Sequence, residues 1–209
     1  MIFPIGIKQK SKEMKVAEKE GGSFEPIPVG IHNAMCIGVI GIGEQEFMGK
    51  TKTKVIVFWE MMDLKEEKDG EKVPRVHSEF LTASLGNEEY PTALRKILQG
   101  WRGKPFTPEE LAGFEMRNIV GVPCVLMMKT KDNGKGTQVA EAMRYSGDKY
   151  TPHFPALFYD PEEHDEATFQ KIPEWIRERI NRPGAQSAAV ASQPDTPVTG
   201  DIAEDDIPF

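Results

Sequence analysis

The sequence predicts a mainly β protein: a five-stranded barrel with one helix between its third and fourth strands, then a C-terminal helix and a disordered acidic tail. Three observations lead there. Strand-length apolar runs, bounded by glycine, proline and polar links, recur five times between residues 31 and 145. After the third run comes a block whose apolar residues fall at three- and four-residue spacing. Beyond residue 180 all periodicity stops.

Residues 1–29 are Lys/Glu-rich and end in "EGGSFEPIPVG", which reads as a mobile arm or a marginal strand leading into the fold. The first strand is "IHNAMCIGVIGIG", closed by glycines; "KTKVIVFWEMMD" follows the loop "GEQEFMGK", and "RVHSEFLTAS" follows the polar link "LKEEKDGEKVP". In "YPTALRKILQGW", Leu94, Ile97, Leu98 and Trp101 form one apolar helical face. "TPEELAGF" starts a second short helix, with Thr107 as N-cap, Pro108 at the first position, acidic residues in the first turn and Gly113 to stop it. The last two strands, "VPCVLMMKT" and "TQVAEAMRYS", are joined by "KDNGKG", whose Asn133-Gly134 is a hairpin signal. Three strands, a helix and two strands is the order of the OB-fold, a five-stranded Greek-key barrel; SH3-like barrels also have five strands but no helix of this size in the middle.

The barrel is expected over residues 30–150. A helical extension follows over 151–182, with Phe169, Ile172, Ile176 and Ile180 on one face and Pro173 either kinking the helix or starting a second segment. Residues 183–200, within an Ala/Ser/Pro/Gly/Thr-rich stretch, read as a flexible linker, and 201–209 as an acidic tip.

A chain of 209 residues, 39% hydrophobic and 28% charged, supports one such domain with extensions. No apolar run approaches the ~18 residues that would cross a bilayer, and the start lacks the order of a secretory signal, so a cytoplasmic location is expected. Cys36 and Cys124 are far apart in apolar surroundings, and the four histidines show no ligand spacing; no metal or other cofactor is expected. The net charge of −7 is unevenly divided. Residues 1–150 carry 22 Lys+Arg against 21 Asp+Glu, whereas 151–209 carry 4 against 12.

Function is sought first on the second strand. Its odd positions, Val55, Val57, Trp59 and Met61, suit a barrel interior. Its even positions set Lys52 and Lys54 beside Phe58, a combination of cations for phosphates and rings for bases that single-stranded nucleic acid requires. Packing of Phe58 under the arm or the last helix is the alternative reading, and a face shifted by one residue would put Trp59 in its place. Phe80 on the third strand adds a second ring. OB-folds bind across strands two and three and with the loops between strands one and two and strands four and five. Here those loops carry Phe47 and Lys50, and Lys131 and Lys135. Arg95, Lys96, Arg102 and Lys104 make the exposed side of the central helix basic. The run "YDPEEHDE" allows a metal-dependent nuclease reading on Asp160, Glu162 and His164, but local carboxylates after a proline and before a helix favour the helix dipole. No nucleotide-binding or nucleophile motif is present, and no enzyme is expected.

The chain ends in "AEDDIPF". Asp205 and Asp206 followed by Ile207, Pro208 and Phe209 make a short peptide ligand: an apolar anchor, a stiffening proline and charges for a basic rim. The roughly 20-residue linker has a root-mean-square span of about 25 Å. "DDIPF" resembles the C-terminal tip of bacterial single-stranded DNA-binding proteins, which docks onto genome-maintenance partners. The barrel is more similar to phage-encoded single-stranded DNA-binding proteins, through "LRKILQGWRGKPFTPEELAGF" preceding "GVPCVLMM". That resemblance implies an OB-fold without cofactor that binds single-stranded DNA irrespective of sequence during phage replication or recombination, in the bacterial host cytoplasm. It implies replication or recombination proteins as partners of the tip and leaves homo-oligomerisation open. An annealing protein, an RNA-binding module and a pure protein adaptor are the rivals.

Overall fold

The computed structural model describes residues 25–47, 49–68 and 70–180. It is mainly β. Strands β1 (Gly30–Phe47), β2 (Lys50–Lys68), β3 (Glu71–Thr82), β4 (Pro123–Thr130) and β5 (Thr137–Arg144) form an antiparallel sheet in the order β3-β2-β1-β4-β5. A sixth strand, β6 (Leu157–Tyr159), runs parallel to β1 alongside Gly38–Ile40. Helix α1 (Ala93–Arg102) and the short helix α2 (Pro108–Ala112) lie between β3 and β4.

β1 serves two neighbours at once. Its first residues pair with β4, Gly30 opposite Met128, and it pairs with β2 from Ala34 to Phe47. Register shifts between Cys36 and Gly38 and between Gly41 and Gly43 add one residue each, and such bulges bend a strand and strengthen its twist. The bend curls the sheet toward a barrel-like shape. Segment 25–28 lies against the β3 and β5 ends of that curl: Arg75 donates to the Glu25 carbonyl, and the Thr137 hydroxyl donates to the Ile27 carbonyl at 2.7 Å. Ile27 is 1% exposed and belongs to the core, so the end of the arm is part of the fold. Glu79 on β3 accepts from the Val139 amide of β5 at 3.1 Å, a side-chain link between those strands.

The sheet separates two cores. The first holds Val55, Val57, Trp59 and Met61 of β2, the odd-numbered set expected inside, with Leu94, Ile97, Leu98 and Trp101 of α1. Thr92 caps α1 by accepting from the Arg95 amide, and Gly103 ends it at φ 67°. Thr107 and Glu110 form a reciprocal capping box on α2, with Pro108 in its first turn. Gly100 lets α1 approach β5 closely: a Cβ there would stand 2.2 Å from the Ala142 carbonyl oxygen.

The second core covers the opposite sheet face. Ile56 and Phe58 of β2 and Met35, Ile37, Ile40 and Ile42 of β1 pack against Phe169, Ile172, Ile176 and Ile180. The C-terminal helix of the sequence reading is two short helices, α3 (Glu166–Phe169) and α4 (Glu174–Arg177). Pro173 caps the second, because proline lacks the amide that a continuous helix needs there. Among the described residues no helix is long and apolar enough to cross a membrane.

Candidate nucleic-acid interface

Strand register decides which side chains share a face. Gln45 pairs with Lys52, Lys54 with Thr82, Ile56 with Phe80 and Phe58 with Ser78. Directly opposite residues in an antiparallel pair project to the same side. Lys52, Lys54, Phe58 and Phe80 therefore occupy one face, the face of the second core. Lys52 is exposed and Lys54 half-buried. Lys50 is exposed at the hairpin end, where its backbone pairs with Phe47; the Phe47 side chain lies outside the described set.

Phe58 is 7% exposed and sits beneath the C-terminal extension. The apolar side chains of 150–180 need a partner surface, and the apolar residues in the middle of this sheet face provide it. A base could stack on Phe58 only if the extension moved. Phe80, near the edge, is half-buried and keeps an aromatic neighbour: its ring centroid is 6.4 Å from that of Trp175 on α4. The Arg179 guanidinium lies 5.7 Å from the Phe80 ring and 5.9 Å from the Trp175 ring, within cation–π range. Gln45 Nε2 donates to the Arg179 carbonyl at 3.0 Å, which ties this end of the extension to β1.

The β4–β5 turn carries half-buried Lys131 and exposed Lys135. The Lys135 amide donates to the Asn133 side chain and the Lys131 amide to the Gly136 carbonyl, which fix the turn. Because Gly30 pairs with Met128 and Phe47 with Lys50, the two lysine-bearing turns stand at opposite ends of the 18-residue β1. They bracket the sheet and do not form one cluster. The tip residues Asp205, Asp206, Ile207, Pro208 and Phe209 lie outside the described residues.

A buried carboxylate holds the extension down. Glu60, in the middle of β2, is 0% exposed. Its Oε1 accepts from the Tyr150 hydroxyl at 2.5 Å and the His153 amide at 2.9 Å, and its Oε2 from the Phe154 amide at 2.9 Å. Burial, and then the carboxylate it faces, push the Tyr150 phenol above its usual range. Next to this anchor, a cleft of about 950 Å3 opens between sheet and extension. Phe58, Val76, Phe154 and Phe158 line it together with Arg117 and Lys171. Arg117 lies over the Phe158 ring at 4.2 Å and pairs with Glu163 at 3.5 Å.

The acidic run before α3 is spent on local structure. Asp165 caps α3 by accepting from the Thr168 amide at 2.8 Å, and this bonding to Thr168 holds its carboxyl below the usual range. The Asp160 carboxylate accepts from the Glu162 amide, and His164 lies between the Tyr159 hydroxyl and Glu166. Among the described residues no group of three or more His, Cys, Asp or Glu is placed to hold a metal ion.

Sequence reasoning missed Glu60, Tyr150, Trp175 and Arg179. A signal for Glu60 was present: one carboxylate within "VIVFWEMMD" must find buried donors. For Trp175 and Arg179 the four-residue spacing was visible, but not which sheet edge they would meet. No protein-family model, curated protein or solved structure matches this chain.

Proposed function

We propose that this protein binds single-stranded DNA without sequence preference, on an OB-type Greek-key barrel, and that its Asp205–Phe209 end recruits replication or recombination proteins. The observation that carries this reading is the common face of Lys52, Lys54 and Phe80. Cations and a ring side by side match a ligand made of phosphates and bases. The strand order, with α1 between β3 and β4 and β1 shared by β2 and β4, supports the OB reading. The resemblance of "DDIPF" to the bacterial tip supports the recruiting role and the bacterial cytoplasm as the place of action. Binding and protection need no bond making, so the protein works without catalytic residues or a cofactor.

The test is charge reversal. The double variant K52E/K54E leaves both cores untouched and should melt as the parent does, while its affinity for labelled oligo-dT falls by at least tenfold. Unchanged affinity would reject this face. A second reading, a protein-binding adaptor, is favoured by the apolar cleft beside Glu60. Absence of any oligo-dT binding at about 50 mM salt, where phosphate contacts are strongest, would select it.

A further inference from the structure

We propose that the C-terminal extension contributes to the DNA site itself: Trp175 stacks on a base and Arg179 contacts the adjacent phosphate. The strand then crosses the seam between β3 and α4 rather than Phe58. This inference rests on the single-stranded DNA reading and gives that site residues outside the barrel.

The geometry follows from the extension's own packing. Ile172, Ile176 and Ile180 recur every fourth residue and are buried in the second core. Trp175 stands in α4 and Arg179 just past its end, where the Arg179 amide still donates to the Ile176 carbonyl at 2.9 Å, so burying Ile176 and Ile180 brings Trp175 and Arg179 to the sheet edge together. The edge they meet is Phe80, with the guanidinium within 6 Å of both rings. The Gln45 bond to the Arg179 carbonyl adds position, since Gln45 pairs with Lys52, and Lys54 pairs with Thr82 two residues beyond Phe80. Two strands and a short helix thus assemble three cations and two aromatic rings on one side of the protein. Glu174 on α4 and Glu178 just after it are exposed and keep the patch from being a uniform cationic field.

Of the two demands of single-stranded DNA, the barrel face alone meets one well. It supplies Lys52 and Lys54, but its central ring, Phe58, is covered. Trp175 restores a half-buried ring at the edge, where a base can reach without the extension moving. The other two tryptophans, Trp59 and Trp101, are buried in the first core. A ligand-dependent change in tryptophan emission therefore reports on Trp175.

The experiment uses the full chain and follows intrinsic fluorescence and the anisotropy of labelled oligo-dT in one titration. The expected result is quenching of emission with the same midpoint as the anisotropy. W175F should keep the fold and lose the quench. W175A should weaken binding by about 5- to 150-fold, the factor equivalent to the roughly 1–3 kcal/mol of one stacked base. R179A should reduce the salt slope of log Kd by about 0.7, and R179K should restore that slope, as one neutralised phosphate requires. If oligo-dT binds but emission is unchanged and W175F and W175A bind like the parent, the proposal is wrong while the DNA reading stands. A red shift on binding would mean that the extension lifts away, which also overturns it. No anisotropy change at any salt would remove the DNA reading and this inference with it.

Discussion

Replacing Glu60 with glutamine should cost more stability than any surface change, because three donors converge on that carboxylate. Glutamine keeps one acceptor oxygen and turns an NH2 group toward the remaining donor. If the oxygen keeps Tyr150 and the His153 amide, the Phe154 amide faces another N–H at a fully buried position. One unsatisfied buried donor costs about 1–3 kcal/mol, and two bonds falling from charge-assisted to neutral lose about 1 kcal/mol each, so E60Q should lose about 3–5 kcal/mol. Neutralising a buried ion can itself be favourable, but here two of the three donors are backbone amides that no substitution removes. Y150F is the milder partner: it deletes one bond to a charged acceptor, about 1.5–3 kcal/mol, or about 3–12 °C in Tm for a domain of this size. Urea unfolding followed by tryptophan emission measures both variants. Tyr150 also gives a pH signature. Its phenol is neutral in both states below about pH 10; above that the unfolded chain ionises first, since the folded value is raised. Stability should therefore fall as pH rises through 10 and beyond, and Y150F should flatten the fall. An E60Q protein within about 0.5 kcal/mol of the parent, the range of ordinary surface changes, would refute the anchoring role.

Both thiols should resist modification in the native protein and react once it unfolds, as a colorimetric thiol assay with and without urea will read. Burial pushes Cys36 up to about 12, only partly offset by its contact with the Gly38 carbonyl, and burial raises Cys124 as well. G100A should destabilise although alanine is the better helix former. The propensity gain is about 1 kcal/mol, whereas forcing a methyl against the Ala142 carbonyl costs about 1–3 kcal/mol, so the melting temperature should drop; a rise would contradict the close α1–β5 approach. Deleting 201–209 removes four acidic side chains and should tighten oligo-dT binding several-fold at low salt, an effect that screening removes at high salt. Equal low-salt affinities would show that the tip and DNA do not compete.

Local chemistry was legible from the sequence. The odd positions of β2, the apolar face of α1, the caps at Thr107 and Pro108 and the break at Pro173 depend on neighbours within a few residues, and each was readable there. Strand length was not. "GEQEFMGK" and "LKEEKDGEKVP" read as loops because polar residues dominate those segments, yet β1, β2 and β3 continue through most of them. Backbone pairing sustains most of these extensions, with burial only at Val73 and Pro74 and partly at Leu64, and the Asp-Gly dipeptide ending at Gly70, with φ 82°, was the available turn signal. The fate of Phe58 was half legible for a different reason: packing under the last helix, which the structure shows, stood beside stacking on a base with nothing in the sequence to choose between them. Its cover comes from residues about 100 positions later, and nothing in the period of β2 tells a solvent face from a face reserved for another segment. The same distance hides the pairing of Glu60 with Tyr150 and of Phe80 with Trp175.

The proposed function is that this protein binds single-stranded DNA through phosphates and bases. The most direct measurement is a titration of fluorescently labelled oligo-dT with the full-length protein at about 50 and 200 mM salt. Saturable binding should weaken with salt, with a log–log slope of about −0.7 for each phosphate neutralised, so Lys52, Lys54 and Arg179 together predict a slope near −2. No binding at the lower salt, or binding that salt leaves unchanged, would contradict the account.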